Sequence, residues 1–421
     1  MPDTVTVPLA YGSGRLTVPF PAARTTVIEP EYRAATADPA HLLRAAVQAP
    51  VAGPPLAQIV RPGQRIAISV CDITRAQPRE LMLEAVLAEL AGVDRSDIVV
   101  LIATGTHRAN TDAELRAMLG DEVVDTVRVV NHDARDSQSM VWCGEFGAGV
   151  PVWLNREWVE ADIRITTGFV EPHFFAGFSG GPKMVAPGLA ALDTVLTLHD
   201  AARIGDSRAT WGIVEGNPVH DDVRAIAAAT GVDFAFDVIL NRDQEIVAAF
   251  AGELFAMHKA ARDAARDVAM RAVPEPFDVV VTTNSGYPLD QNLYQAVKGI
   301  SAAAQIVRPG GLIVCAAECR DGFPDHGSYR RLLTSRSSPR ELLEDIRNRE
   351  RTEPDQWQVQ IQARIAERAR IAVFTGGLSE GEVRSAHLGY TSDIAATVAA
   401  EGPQARICVL PEGPQTIPYV G

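Results

Sequence analysis

The sequence is short of the features that would place it outside ordinary globular enzymes. It has only five cysteines in 421 residues, at Cys71, Cys143, Cys315, Cys319 and Cys408. An odd, scattered set excludes a disulfide scaffold and reads as reduced thiols of a cytoplasmic protein. Cys315 and Cys319 form the only close pair, and C-x₃-C alone does not make a metal site. No apolar run approaches the roughly 18 residues of a membrane span, and the opening Met1–Val5 lacks a basic stretch followed by an apolar core, so neither a membrane anchor nor a secretory signal is expected. Positive charge is also scarce: the formal net charge is −14, which argues against nucleic-acid or anionic-membrane partners. There is no H-E-x-x-H, no paired C-x-x-C and no Asp-rich calcium loop, so zinc and calcium sites of the usual kinds have no support.

What is present is a globular composition, 47% hydrophobic and 22% charged, in a chain long enough for two domains. Thr4–Leu9 and Leu16–Phe20 flank a turn at Tyr11–Gly14 and read as a hairpin. A strand–loop–helix rhythm follows. Apolar runs at Ile66–Cys71, Ile98–Ala103, Val127–Val130 and Ile163–Thr167 alternate with helical patterns such as Glu80–Leu90 and Asp112–Leu119. After the helical pattern Leu254–Arg271 and Pro274-Glu275-Pro276 the rhythm restarts with Asp278–Thr283, Leu312–Ala317, Ile371–Phe374 and Ile407–Leu410. The expected fold is α/β, with two domains, each a mostly parallel sheet flanked by helices. Residues 1–273, rejoined by 407–421, would form the first and 274–406 the second, with the active site in the crevice between them.

Parallel sheets bind ligands beyond the carboxyl ends of their strands. Four such ends carry reactive side chains: Asp72-Ile73-Thr74-Arg75, Thr104-Gly105-Thr106-His107-Arg108, Gly168–His173, and Asn284–Pro288. One such loop is adequately explained by capping and turns; four together point to a site. The densest segment is Glu171–Lys183, where Gly177, Ser179, Gly180 and Gly181 precede a lysine and suggest backbone amides around a phosphate or other anion. It is not a Walker A loop, because Pro182 precedes Lys183 and Met184 stands where a magnesium-binding hydroxyl would be. Of nine histidines, His41, His132, His220, His258, His326 and His387 read as surface or hydrogen-bonded residues. His107 and His173 stand out because each follows a strand, and His199 because it follows the lysine loop on a helical run. A lone imidazole is too few ligands for a tight metal site, so any metal here would draw most of its coordination from outside the chain.

The segments Asp72–Arg75, Gly105–Arg108, Glu171–Lys183, His199 and Tyr294–Lys298 together resemble the signature segments of the nickel-dependent lactate racemase family, and the resemblance spans nearly the whole chain. It implies a racemase or epimerase of 2-hydroxy acids that uses a nickel pincer cofactor, a pyridinium-3,5-bisthiocarboxylic acid mononucleotide held covalently on Lys183. His199 would complete the nickel coordination. The glycine-loop residues would hold the cofactor's phosphate, Asp72 and Thr74 would contact the cofactor or support the groups that do, and His107 and His173 would be the two acid–base catalysts. Arg75 and Lys298 would pair with the substrate carboxylate, while Tyr294, Gln295 and Trp357 would line the pocket. The implied partners are a small 2-hydroxy acid and the enzymes that make the cofactor and insert nickel; a homodimer is one possible assembly, and the sequence does not set the oligomeric state. One departure is visible: family members often place Pro directly after the arginine, whereas Ala76-Gln77 intervenes here before Pro78. Two rival readings are a nicotinamide-dependent 2-hydroxy-acid dehydrogenase, which lacks its G-x-G-x-x-G after an early strand, and a non-catalytic hydroxy-acid-binding homologue.

Overall fold

A computed structural model describes residues 3–324 and 327–421; His326 lies outside the described residues. The chain divides into two compact units, one of Tyr32–His199 and Arg208–Val268, the other of Met1–Glu31, Asp200–Ser207 and Ala269–Gly421.

The first unit is built on a six-stranded sheet. Its order is Ile246–Gly252, Phe234–Leu240, Ile163–Phe169, Ile66–Cys71, Ile98–Ala103, Arg128–Asn131. Five strands are parallel and the Ile246–Gly252 edge is antiparallel. All six residues of Ile66–Cys71 are buried, as a central strand covered on both faces requires. Ile66, Ile68 and Val70 pack with Met82, Val86, Val100, Ile102, Ile165 and Phe236. From Ile66–Cys71 the chain moves outward in one direction through Ile98–Ala103 to Arg128–Asn131, then returns to the other side with Ile163–Phe169. The strand order therefore switches between Ile66–Cys71 and Ile163–Phe169, the place where loops diverge and leave a crevice. Helix starts follow local rules. Asp112–Leu119, found with the expected bounds, carries a full capping box between Thr111 and Glu114, and Pro218–Thr230 is capped by Asn217 with Pro at its first position.

The second unit holds an all-parallel sheet in the order Gly389–Tyr390, Arg370–Phe374, Val307–Ala316, Phe277–Thr283, Ile407–Leu410, Thr25–Val27. The amino-terminal hairpin, Thr4–Tyr11 with Gly14–Pro21, lays Val7, Leu9, Val18 and Phe20 against Val279, Val281, Val314 and Ile407.

The division of the chain differs from the expected 1–273 and 274–406. Residues up to Glu31 belong with the second unit, because Thr25–Val27 pairs with Ile407–Leu410. The tail stays there too: Ile407–Leu410 pairs with Phe277–Thr283, and Ile417–Val420 with Met270–Val273. The tail does not return to the first unit. Asp200–Ser207 also belongs to the second unit, its short helix Ala201–Gly205 held by Gln360 Nε2 on Ala201 O at 2.8 Å and Arg364 Nη1 on Ile204 O at 2.6 Å. Apolar periodicity marks a strand but does not name its partner, and parallel pairing is non-local. The strand Phe234–Leu240 also escaped the pattern, because Asp237 interrupts its apolar run while being fully buried.

Candidate active site

The loop after Ile66–Cys71 is fixed by two buried side chains. Arg79 donates from Nε to Cys71 O at 2.7 Å, from Nη2 to Arg75 O at 2.6 Å, and also to Asp72 O. Gln77 accepts from Cys71 N at 2.7 Å and donates to Thr167 Oγ1 at 2.8 Å. The Ala76-Gln77 insertion before Pro78 thus contributes an anchor to the neighbouring strand, and Arg75 is left exposed at the loop's crest.

Asp72 is almost fully buried, and His107 Nδ1 stands 2.6 Å from its Oδ2. Its Oδ1 accepts from Thr74 N at 3.2 Å and Thr74 Oγ1 at 2.7 Å. Burial by itself would push this carboxyl up, yet the His107 hydrogen bond and charge, the Thr74 hydroxyl and Arg75 together hold it below the usual value. Asp72 is therefore ionised at neutral pH and accepts the Nδ1 proton of His107, which sets the lone pair of that ring on Nε2. The His107 side chain remains 46% exposed. In this arrangement Asp72 and Thr74 serve the imidazole.

The loop after Ile163–Phe169 turns back on itself through a two-residue pairing of Pro172-His173 with Gly177-Phe178. His173 Nδ1 accepts from Phe175 N at 3.4 Å and Ala176 N at 3.2 Å, so a neutral His173 carries its proton on Nε2, the opposite tautomer to His107. Lys183 Nζ stands 3.3 Å from that Nε2. Burial, aided by the Arg75 charge, draws the Lys183 ammonium down to about 7. The short 3₁₀ turn Gly181–Met184 that carries it sits over the strand switch: Ser69 Oγ donates to Met184 O at 3.0 Å, and Cys71 Sγ lies 3.7 Å from Met184 Sδ.

His199 caps the helix Leu192–Leu198. Its Nδ1 donates to Val195 O at 2.7 Å, placing the lone pair on Nε2, the form in which an imidazole ligates a metal. Burial pulls its pKa down to about 4, so the ring is neutral at pH 7. Phe175 gathers these groups. Its ring centroid lies 4.5 Å from that of His173 and 5.2 Å from that of His199, both edge-on, and 5.5 Å from Lys183 Nζ. Asn217 fixes Phe175 by donating to its carbonyl at 2.9 Å. Neither Phe175 nor Asn217 was marked by the sequence, where an aromatic and a helix-capping Asn read as core and cap.

The glycine loop departs from a phosphate cradle. Ser179 N donates to Glu171 O at 2.9 Å and its Oγ to Phe169 O at 3.0 Å. Gly181 N donates to Asp237 Oδ2 at 2.7 Å. A Cβ at Gly177 would stand 2.2 Å from Ile213 O, and one at Gly180, where φ is +69°, 2.7 Å from Asp237 Oδ2. These glycines answer to close protein packing, and a buried carboxyl stands where an anion would have to approach Gly181.

In the second unit, Tyr294, Gln295 and Lys298 are half-buried on the helix Leu293–Ala303. Trp357 Nε1 donates to Tyr294 Oη at 3.3 Å and Gln358 Nε2 to Tyr294 O at 2.5 Å, so the tyrosine and tryptophan form one cluster, while Asn292 caps the helix through Gln295 N.

Comparison with known proteins accords with both units. Residues 11–212 match the lactate racemase N-terminal domain and residues 273–417 the lactate racemase C-terminal domain. The chain is 34% identical over 385 residues to a lactate racemase of Thermoanaerobacterium thermosaccharolyticum, covering 89% of each protein. It is 36% identical over 372 residues to a lactate racemase of Lactiplantibacillus plantarum, covering 86% of this chain and 87% of that protein. The lactate racemase apoprotein structure from Thermoanaerobacterium thermosaccharolyticum superposes with a TM-score of 0.92 at 31% identity, over 98% of this chain and all of that one. A protein from Thermotoga maritima shares the fold, with a TM-score of 0.68 at 17% identity over 93% of this chain and all of that one. The chain is a member of the lactate racemase family, an isomerase.

Proposed function

We propose that this chain racemises lactate or a closely related short-chain 2-hydroxy acid in the cytoplasm, using a nickel-pincer nucleotide attached to Lys183. The observation that supports this most strongly is the convergence of Lys183, His173 and His199 on the Phe175 ring, a neutral-leaning amine, an acid–base group and a metal-competent imidazole in one place. The donor set fits such a group. Among the described residues no three His, Cys, Asp or Glu side chains gather to hold a metal, so His199 would need the sulfur and carbon donors that a pincer brings, and imidazole suits nickel in tetragonal geometry.

A hydrogen on C2 beside a carboxylate is too weakly acidic for an ordinary base, and the nucleotide, when bound, would supply a reversible acceptor for it as hydride. The chain's own work is proton transfer and orientation. His107, its Nδ1 proton held by Asp72, presents a basic Nε2 to the substrate hydroxyl. His173, when protonated to the imidazolium, would give its Nε2 proton to the carbonyl oxygen of the 2-keto acid from the other side and return to the neutral ring. One ring starts neutral as the base and the other protonated as the acid, and they exchange roles for the other enantiomer. Arg75 offers a planar fork to the substrate carboxylate, with Lys298 as a second cation and Tyr294, Gln295 and Trp357 as lining.

The test is to produce the chain with the cofactor-synthesis enzymes and nickel and give it L-lactate. D-lactate should appear without added nicotinamide, with nickel in the protein and a mass adduct on the Lys183 peptide. Activity from protein that carries no adduct, or strict dependence on nicotinamide, would contradict the reading.

A further inference from the structure

Behind the loop that joins His173 to Lys183 lie three buried polar side chains that the reaction does not use. Asp237, in the middle of the strand Phe234–Leu240, is fully buried. Its Oδ2 accepts from Gly181 N at 2.7 Å, while its Oδ1 has no hydrogen-bond partner among the described residues. His258, on the helix Leu254–Ala269, donates from Nε2 to Ser179 O at 2.9 Å. Its ring fills the space above Gly181, where a Cβ would stand 2.5 Å from His258 Cγ. His220, on the helix Pro218–Thr230, stacks on His258 with ring centroids 6.0 Å apart. Two separate elements thus hold residues 179 and 181 of a loop with His173 near one end and Lys183 at the other, and a third, through His220, backs the His258 ring.

Burying a carboxyl and two imidazoles is unfavourable unless their hydrogen bonds are worth more than an apolar filling. Both imidazoles are neutral at pH 7, since burial, with Arg262 nearby, pulls His220 down to about 4 and His258 to about 3. They therefore act as uncharged props, His258 through its hydrogen bond and His220 by stacking on it, and carry no charge toward Lys183. An apolar residue could fill each volume, but it could not fix the carbonyl of Ser179 or the amide of Gly181 in direction.

We propose that Asp237, His258 and His220 are positioning residues that set the approach of the Lys183 amine to His173, and through it the reactivity of that amine. This rests on the site described above but not on the cofactor, and its test separates the two. The chain has three lysines, Lys183, Lys259 and Lys298, which makes competitive labelling simple to read. The full chain, produced without the cofactor-synthesis enzymes, is labelled with acetic anhydride across a pH series, and each lysine peptide is quantified by mass spectrometry. Lys183 should titrate near neutral pH, with the exposed Lys259 as the internal reference.

His258→Phe keeps the ring and removes the donor; Asp237→Leu removes the acceptor. Each should shift Lys183 upward and cut its labelling at pH 7 by about fivefold or more, with Lys259 unchanged. His258→Gln retains an N–H donor and Asp237→Asn an acceptor, so both should restore labelling toward the parent. A purely structural role would lower the melting temperature of the disruptive variants while leaving Lys183 labelling as in the parent, and that result would overturn the proposal. If Asp237→Leu does not fold, the His258 pair decides alone.

Discussion

The two units carry parallel sheets of the same size and spend the polar groups at their strand ends in different ways. In the second unit the loop after Phe277–Thr283 uses them on its own backbone. Asn284 accepts from Gly299 N at 3.0 Å and donates to Leu289 O, Ser285 Oγ donates to Glu412 O at 2.6 Å, and Asp290 accepts from Gly12 N at 2.7 Å and Glu318 N at 3.0 Å. In the first unit the corresponding loops aim ionisable side chains at one another: Asp72 at His107 and His173 at Lys183. Neutral amide and hydroxyl pairs close a loop; ionisable pairs set tautomers and pKa values. Architecture supplies strand ends in both units, and the chemistry comes from what sits on them.

Substitutions can break that comparison at several strengths. Lys183→Ala should have the largest effect, abolishing racemisation and the mass adduct while the melting temperature stays close to the parent's; an active, unmodified Lys183→Ala would remove the first unit's special status. His107→Ala and His173→Ala should each lower turnover by ~10²–10⁴-fold, with nickel content measured in parallel and retained. Asn284→Ala should do the reverse, costing about 1–3 kcal/mol of stability in denaturant unfolding while the remaining folded enzyme keeps its turnover. A strong loss of turnover there, at unchanged stability, would place chemistry on the second loop as well.

The smallest effect is a pH dependence. The folded-state pKa values of His220 and His258, about 4 and 3, lie below the unfolded value near 6.5. The unfolded chain therefore binds more protons below pH 6.5, and the stability these neutral rings provide is full above that pH and is lost as pH falls from 6.5 toward 4. Asp237, raised by burial to about 7, works in the opposite sense over part of this range, so the informative quantity is a difference. The gap in melting temperature between parent and His258→Phe should narrow as pH drops from 7 to 5. A gap that stays constant or widens would mean that His258 is not held neutral in the fold.

The sequence made the first unit's site legible because its residues follow strands whose apolar runs are unmistakable. Ile66–Cys71 and Ile98–Ala103 have the expected bounds, and Asp72, His107 and His173 follow from them. The supporting residues were not legible. Asp237, His220, His258 and Asn217 stand 34 or more positions beyond Lys183, and nothing in their neighbours distinguishes a buried prop from a surface polar residue. The glycines are ambiguous for a physical reason: Gly177, Gly180 and Gly181 suit an anion cradle and close packing of protein equally well, and Ile213, Asp237 and His258 pack against them in the fold. The unit boundaries failed similarly, since the partners of Thr25–Val27 and Ile407–Leu410 lie hundreds of residues apart in the chain.

The central claim is that C2 gives up its hydrogen as hydride while the histidines handle only the hydroxyl proton. Cofactor-loaded enzyme supplied with L-lactate deuterated at C2, in ordinary water, tests it in a single turnover. A hydride held away from solvent returns to the other face, so the D-lactate formed should keep most of its deuterium, with pyruvate only in traces. Extensive exchange of that deuterium for solvent hydrogen would mean that a protein base removes the C2 proton, and would contradict the roles assigned to His107, His173 and Lys183.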